Sequence, residues 1–430
     1  MRKEKFITST IILIIGGFIT KVLGMFIKIV ITRLIGLEGI GLYMLILPTF
    51  SLFMTLAQLG LPVAISKLVA EETKNNKRLF LSTIPLVIII NIILMIVIIG
   101  IAPLLANHLL NETRILYPLL SISIVLPFIS ISCIVRGYFF GKQKMLPHVI
   151  SHIVEQIVRV SSIALFVPIL LKSGLEYAVS GVVLVNVISE LVSIIILVGY
   201  LPKNLKLKLD DFKPNMSDIK DVLNIGLPTT GNRVIGSISY FLEPIILTQV
   251  LLLIGYSRGF ILTEYGALSG YVFPLLLIPS FFSQAISSAL IPVVSKSYAN
   301  NNIKYIKLKL KQAILISFTI GILVSISFII MPSFLLQLVY KTNKGIEYLR
   351  FLAPIYLLHY IEIPLAGTLQ AMNKAKDSMF NTLKGTVLKN ILLLSLSFLK
   401  IGIYGLLIAV SSGIIVITIL DYIKVKKYLS

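Results

Sequence analysis

Only one of the 430 residues is a cysteine, Cys133, so an intramolecular disulfide is impossible and no redox framework is implied. Charge is scarce as well. Asp, Glu, Lys and Arg make up 13% of the chain, about half the roughly 25% usual in soluble domains. Acids are the scarcer sign, 18 against 39 Lys and Arg, which leaves a formal net charge of +21. The four histidines, His108, His148, His152 and His359, show no metal-ligand spacing. His148 and His152 stand four apart, but HVISH lacks the glutamate of a zincin helix and reads as a polar face at a helix end. No Gly-rich loop with a lysine is present to cradle phosphates, which argues against ATP hydrolysis. No connecting loop on the external side is long enough to hold a catalytic domain. These shortages point away from an enzyme, and no catalytic residue, metal or cofactor is expected.

What the chain has in abundance is apolar surface. Hydrophobic residues make up 57% of it, and the mean hydropathy is +0.97. A soluble protein of this length could not hide that much, whereas a bilayer can. A helix needs about 20 mostly apolar residues to span the hydrocarbon core. Twelve segments qualify: 7–31, 42–65, 79–103, 116–138, 149–171, 177–200, 221–249, 267–292, 308–331, 347–369, 378–399 and 402–423. The first apolar run continues past Lys21 and Lys28 with no small-residue cleavage site, so it reads as a retained span rather than a signal peptide.

The loops agree with this count. If the N-terminus is cytoplasmic, the cytoplasmic segments hold 25 Lys and Arg and the external ones hold 8. That asymmetry puts both termini inside and explains the basic balance without nucleic acid. Heavy use of Ile, Lys and Asn points to an AT-rich bacterial genome, and hence to a bacterial cytoplasmic membrane.

The chain also repeats itself. GLYMLILPTFSLFMTLAQLGLPVAISK at 41–67 parallels GYVFPLLLIPSFFSQAISSALIPVVSK at 270–296, and RGYFFGKQK at 136–144 parallels AGTLQAMNK at 366–374. Gly137 matches Gly367, and Arg159 matches Lys389, both at an offset of 230. The expected fold is all-α: about 12 transmembrane helices in two pseudo-symmetric six-helix bundles, 1–200 and 221–430, joined by a polar cytoplasmic linker at 201–220. Such two-repeat architectures are typical of secondary transporters, with the substrate between repeats.

Setting aside the 33 cations assigned to loops and span ends leaves six well inside the spans: Lys21, Lys28, Arg159, Arg233, Lys384 and Lys389. Four acids accompany them: Glu155, Glu190, Glu243 and Glu362. Each cation at a helix centre costs roughly 2.5–3.5 kcal/mol if it faces lipid. The cations must therefore line a wet cavity, pair with acids or snorkel. Gly17, Lys21, Gly24 and Lys28 share one helical face with no local acid, as a cavity lining would. Glu155 and Arg159 stand at i, i+4 and either neutralise each other or serve transport. Arg233, Gly236, Tyr240 and Glu243 share a face of a helix that Pro228 and Pro244 should bend. Lys389 is deep and joins Lys21, Lys28, Arg159, Arg233 and Tyr240 as a substrate-binding candidate, whereas Lys384 is expected to snorkel. Glu155, Glu243, Glu190 and Glu362 are candidates for pairing or for binding a coupling ion. The surplus of cations favours an anionic substrate such as a diphosphate, which Arg can grip bidentately.

Three blocks, EGIGLYMLILPTFSLFMTLAQLGLPVAISKLVAE at 38–71, RGYFFGKQKMLPHVISHIVEQIVRV at 136–160 and GNRVIGSISYFLEPIIL at 231–247, resemble a known family. It is the polysaccharide-flippase family of stage V sporulation protein B, within the MATE-like multidrug/oligosaccharidyl-lipid/polysaccharide exporter superfamily and related to lipid II flippases. The resemblance runs nearly end to end. It implies a V-shaped pair of bundles with a central cavity, and alternating-access transport of an undecaprenyl-diphosphate-linked saccharide for cell-wall or spore-cortex synthesis. It also implies cavity-lining roles for Lys21, Lys28 and Arg233. Many relatives carry two further helices after the twelfth, and no lipid-tail groove built from such helices is assigned to these residues. The implied partners are the lipid-linked anionic saccharide, membrane lipids and the cell-wall synthesis machinery, with the protein itself a monomer.

Competing readings are a cation-coupled multidrug exporter of the same superfamily, which would favour acids in the cavity, and a non-transporting sporulation scaffold. A membrane glycosyltransferase would need sizeable catalytic loops, which are absent.

Overall fold

The computed structural model describes residues 2–71, 76–202 and 215–429. Most of the expected 201–220 linker lies outside the described residues. All regular structure among the described residues is helical. By contacts the chain divides into two compact units, Met1–Phe241 and Leu242–Ser430.

Unit 1 contains α1 (Arg2–Gln58), α2 (Leu61–Ala70), α3 (Asn76–Leu104), α4 (Leu116–Gly141), α5 (Met145–Leu171), α6 (Leu175–Gly199) and the first part of α7 (Met216–Leu253). The first two expected spans merge into α1. Its 57 residues would reach about 85 Å if straight, far beyond a hydrocarbon core of about 30 Å. Gly36 resolves the mismatch. Its φ of 70° and ψ of −172° interrupt the helical path between the two expected spans. Arg33, expected in an external loop, therefore sits on helix. The second turn falls at Leu59 and Gly60, both at positive φ.

Unit 2 contains the rest of α7, then α8 (Arg258–Ala267), α9 (Phe273–Leu276), α10 (Ile278–Ala299), α11 (Ile303–Ile330), α12 (Pro332–Tyr340), α13 (Ile346–Ala371), α14 (Ala375–Ser397) and α15 (Tyr404–Leu429). Ten of the described helical stretches are long and apolar enough to cross a membrane. They match the twelve expected segments with two differences. Residues 15–70 form one stretch rather than two, and α14 is too polar to qualify because Lys376, Asp377, Lys384 and Lys389 all lie on it.

Lipid is the solvent these surfaces require. Ile89, Ile92, Ile93, Ile96 and Ile99 of α3 are all at least half exposed, an apolar stripe no water-facing helix would carry. The helices cohere instead through small residues and hydroxyls. Ser130 donates to the Ala57 carbonyl at 2.9 Å and accepts from Asn91 Nδ2 at 3.0 Å, tying α4 to α1 and α3. In unit 2, Ser287 donates to the Ile363 carbonyl and Ser295 to the Ala371 carbonyl, tying α10 to α13. At the start of α14, Asp377 accepts from Lys424 Nζ at 2.8 Å and Tyr428 Oη at 2.6 Å, and these bonds hold its carboxyl below the usual carboxylate range.

The sequence repeat has a packing counterpart. Gly137 lets α4 approach α2: a Cβ there would stand 2.8 Å from Ile65 Cβ and 3.2 Å from the Pro62 carbonyl oxygen. Gly367, its repeat partner, lets α13 approach α10 in the same way, against Ser287.

Candidate functional site

The buried charges of unit 1 are gathered by α4, α5 and α6. Glu155 is 2% exposed and gives each carboxylate oxygen its own arginine. Arg159 Nη2 donates to Oε1 at 2.6 Å, and Arg136 Nη2 donates to Oε2 at 2.7 Å. Arg136 Nη2 also reaches Glu190 Oε2 and Ser193 Oγ, each at 3.2 Å, while Arg159 Nε donates to Ser189 Oγ at 3.3 Å. Two cations and two acids thus form a closed, neutral cluster, of the kind a low-dielectric interior demands.

Arg136 corrects the expectation that placed it among cytoplasmic loop cations. Its side chain is 15% exposed and lies within α4. Arg136 already fell within the expected span 116–138, and α4 runs on to Gly141, which leaves it more than a turn inside the helix end. Without Arg136 the expected cytoplasmic segments hold 24 Lys and Arg rather than 25, and each still holds at least two.

In unit 2, Lys389 Nζ donates to Glu243 Oε2 at 2.7 Å, and Tyr265 Oη donates to Glu243 Oε1 at 3.4 Å. Glu243 is 4% exposed, withdrawn from the surface on which Arg233 lies. The repeat-related pair Arg159 and Lys389 therefore share a fate, each neutralised by a buried glutamate on its own unit. Glu362 lies 3.5 Å from His359 Nδ1. A further buried acid, Asp421, lies in the last span and was not among the expected four. It accepts from Asn381 Nδ2 at 2.7 Å, and its other oxygen has no hydrogen-bond partner.

Lys21, Lys28 and Arg233 lie on open faces of unit 1. A Cβ at Gly16 would drive into Val149 of α5, so that face of α1 is packed. A Cβ at Gly17 or Gly24 would meet nothing within 4 Å, and Lys21 and Lys28 lie on this uncovered side. Lys21 is exposed and Lys28 half-buried. Arg233 is exposed, between Gly231 and Gly236, which are equally open. Neither Lys28 nor Arg233 has a carboxylate partner among the described residues. Tyr240 is half-buried on the same helix as Arg233, and Lys384 is exposed on α14. Among the described residues, no group of three or more His, Cys, Asp or Glu is arranged to hold a metal ion.

Comparison with known proteins adds an independent line. The polysaccharide biosynthesis protein family matches residues 6–298, and the MatE family matches 238–396. Over 440 residues the chain is 36% identical to stage V sporulation protein B of Bacillus subtilis (strain 168), covering all of this chain and 85% of that protein. It is 23% identical to the lipid II flippase MurJ of the same organism, covering 99% of this chain and 83% of that protein. Among solved structures, the inward-facing conformation of a multidrug resistance MATE family transporter of the MOP superfamily superposes with a TM-score of 0.80 at 17% identity, covering 95% of this chain and 94% of that one. That likeness speaks for the fold.

Proposed function

Because this chain belongs to the polysaccharide biosynthesis protein family, a family of multi-pass membrane exporters, we propose that it flips an anionic undecaprenyl-diphosphate-linked saccharide across the bacterial cytoplasmic membrane by alternating access. The observation that carries this reading is the division of the intramembrane cations. Arg136, Arg159 and Lys389 are neutralised by buried glutamates, whereas Lys28 and Arg233 lie on uncovered helix faces with no carboxylate partner among the described residues. An ionised diphosphate cannot enter hydrocarbon unaided, because desolvating each charge costs several kcal/mol. Lys21, Lys28 and Arg233 would supply the compensating charge. Arg233 would grip two phosphate oxygens at once, and Tyr240 on the same helix would add a hydroxyl. The polyprenyl tail needs no site, since it can remain in lipid. Cell-wall or spore-cortex synthesis is the process this cargo serves, with a monomer drawing substrate from the cell-wall synthesis machinery.

The test is flipping of fluorescent lipid II and of other undecaprenyl-diphosphate saccharides by purified protein in vesicles, with and without a membrane potential. Arg233→Ala and Lys28→Ala should each slow flipping roughly 10- to 100-fold, the worth of one or two charge-assisted hydrogen bonds, with membrane insertion unchanged. Arg233→Lys should recover only part of the loss. Wild-type rates in both alanine variants would sink the proposal. Uptake of a cationic dye dependent on Glu243 would instead favour a drug exporter. The open faces argue against that second reading, since they carry cations rather than acids.

A further inference from the structure

In unit 2, α11 and α15 each pack along α13 but barely meet one another. The gap is a cleft of about 340 Å³. Its floor is apolar: Leu310, Leu365, Val425 and Leu429 belong to the buried core where α10, α11, α13 and α15 converge. Its rim is basic. Lys307 and Lys311 stand one turn apart near the start of α11, and Lys426 stands in the last turn of α15. All three lysines are exposed, and none has a carboxylate partner among the described residues. The carboxylates near these helix ends are already engaged. Asp377 holds Lys424, and Asp421 faces Asn381.

Like charges at i, i+4 repel, and a third cation from another helix adds to the repulsion unless an anion sits among them. An anion that also wanted the apolar floor would need a hydrocarbon tail. The cleft lies where the helices end, and its neighbours Leu308, Leu315 and Ile423 are more than half exposed, as lipid-facing residues are. Basic pockets between helices at the membrane boundary suit lipid phosphates. We infer that this cleft is a binding site for an anionic glycerophospholipid of the surrounding leaflet. Its phosphate is held by Lys307, Lys311 and Lys426, and one acyl chain lies along Leu310, Ile314 and Leu365. The cleft shares no lining residue with Lys28 or Arg233, so it stands even if the proposed cargo is wrong. A glycerophospholipid is favoured over the cargo lipid because the apolar residues beside the cleft, Leu308, Leu315 and Ile423, are exposed as in contact with lipid, and such lipids are the abundant species of a bilayer.

The full-length protein, released from detergent with added phosphatidylglycerol or phosphatidylcholine of identical chains, can be weighed by native mass spectrometry. One phosphatidylglycerol should be retained in preference to phosphatidylcholine, and millimolar inorganic phosphate should not displace it. Lys307→Gln, Lys311→Gln and Lys426→Gln should each weaken retention about fivefold, and the triple variant roughly 100-fold. Lys304→Gln with Lys309→Gln, outside the cleft, should leave it unchanged. Equal retention of the two lipids, equal loss in the two sets of variants, or displacement by undecaprenyl phosphate at equimolar concentration would overturn the assignment.

Discussion

At the scale of single residues, the buried charges are arranged in pairs whose members depend on each other. Glu155 is bound on both oxygens, so Arg136 cannot be removed without stranding Glu155 and Glu190 in a low-dielectric interior. Arg136→Ala should therefore lower stability by about 3–5 kcal/mol, read as a fall in the temperature at which the detergent-solubilised protein leaves its monodisperse peak. Adding Glu190→Gln should restore part of that loss, because it removes one stranded charge. An unaltered transition in the single variant would show that the cluster contributes nothing. The pairing of Arg159 with Glu155 follows from their spacing of four. Arg136 was harder to read, because it stands just ahead of the polar GKQK stretch and looks like the edge of a loop. Asp421 was hidden similarly, one turn before KVKK at the chain's basic end. Both lie near the end of an expected span, beside basic loop residues, and what packs against the helix there decides whether the charge is buried.

At the scale of elements, glycine sets how closely helices approach. Gly137 and Gly367 are equivalent in sequence but meet different neighbours. At Gly137 an added methyl would press on the branched Ile65 Cβ and a backbone carbonyl, neither of which can rotate away. Gly137→Ala should cost about 1–3 kcal/mol. At Gly367 the obstacle is the Ser287 hydroxyl, which can rotate at the expense of its bond to Ile363. Gly367→Ala should cost less, and Ser287→Ala in the same chain should relieve it. A thiol-reactive dye can follow both series on heating, since buried Cys133 is the only cysteine in the protein. Equal costs at the two glycines would refute the distinction. Gly60 is a stricter case. It has φ of 63°, and a Cβ there would stand 2.6 Å from the Gly226 carbonyl oxygen, so Gly60→Ala combines strain with a backbone clash.

At the scale of the whole molecule, the two units share a plan and differ in charge. Unit 1 seals two acids with two arginines and keeps basic, open faces on α1 and α7. Unit 2 has one sealed pair, Lys389 with Glu243, and the acid–amide contact of Asp421 with Asn381. Orientation is a proposal at this scale, with both termini cytoplasmic on the strength of the loop charges. In a Cys133→Ser background, Lys304→Cys should react with an impermeant maleimide only from the cytoplasmic side, and Lys400→Cys only from outside. Labelling of both from one side would overturn the arrangement.

Hydropathy, loop charge and a 230-residue offset are one-dimensional properties, and they were sufficient for the membrane class, the repeat, nearly every span and the presence of cations inside the helices. Which cations are neutralised is a different kind of fact. Arg136 meets Glu190 across 54 residues, and Lys389 meets Glu243 across 146. Periodicity within one helix cannot register such pairs. Packing brings them within 3.2 Å, and at that range in a low-dielectric interior the partner determines whether a charge is neutralised or left to act.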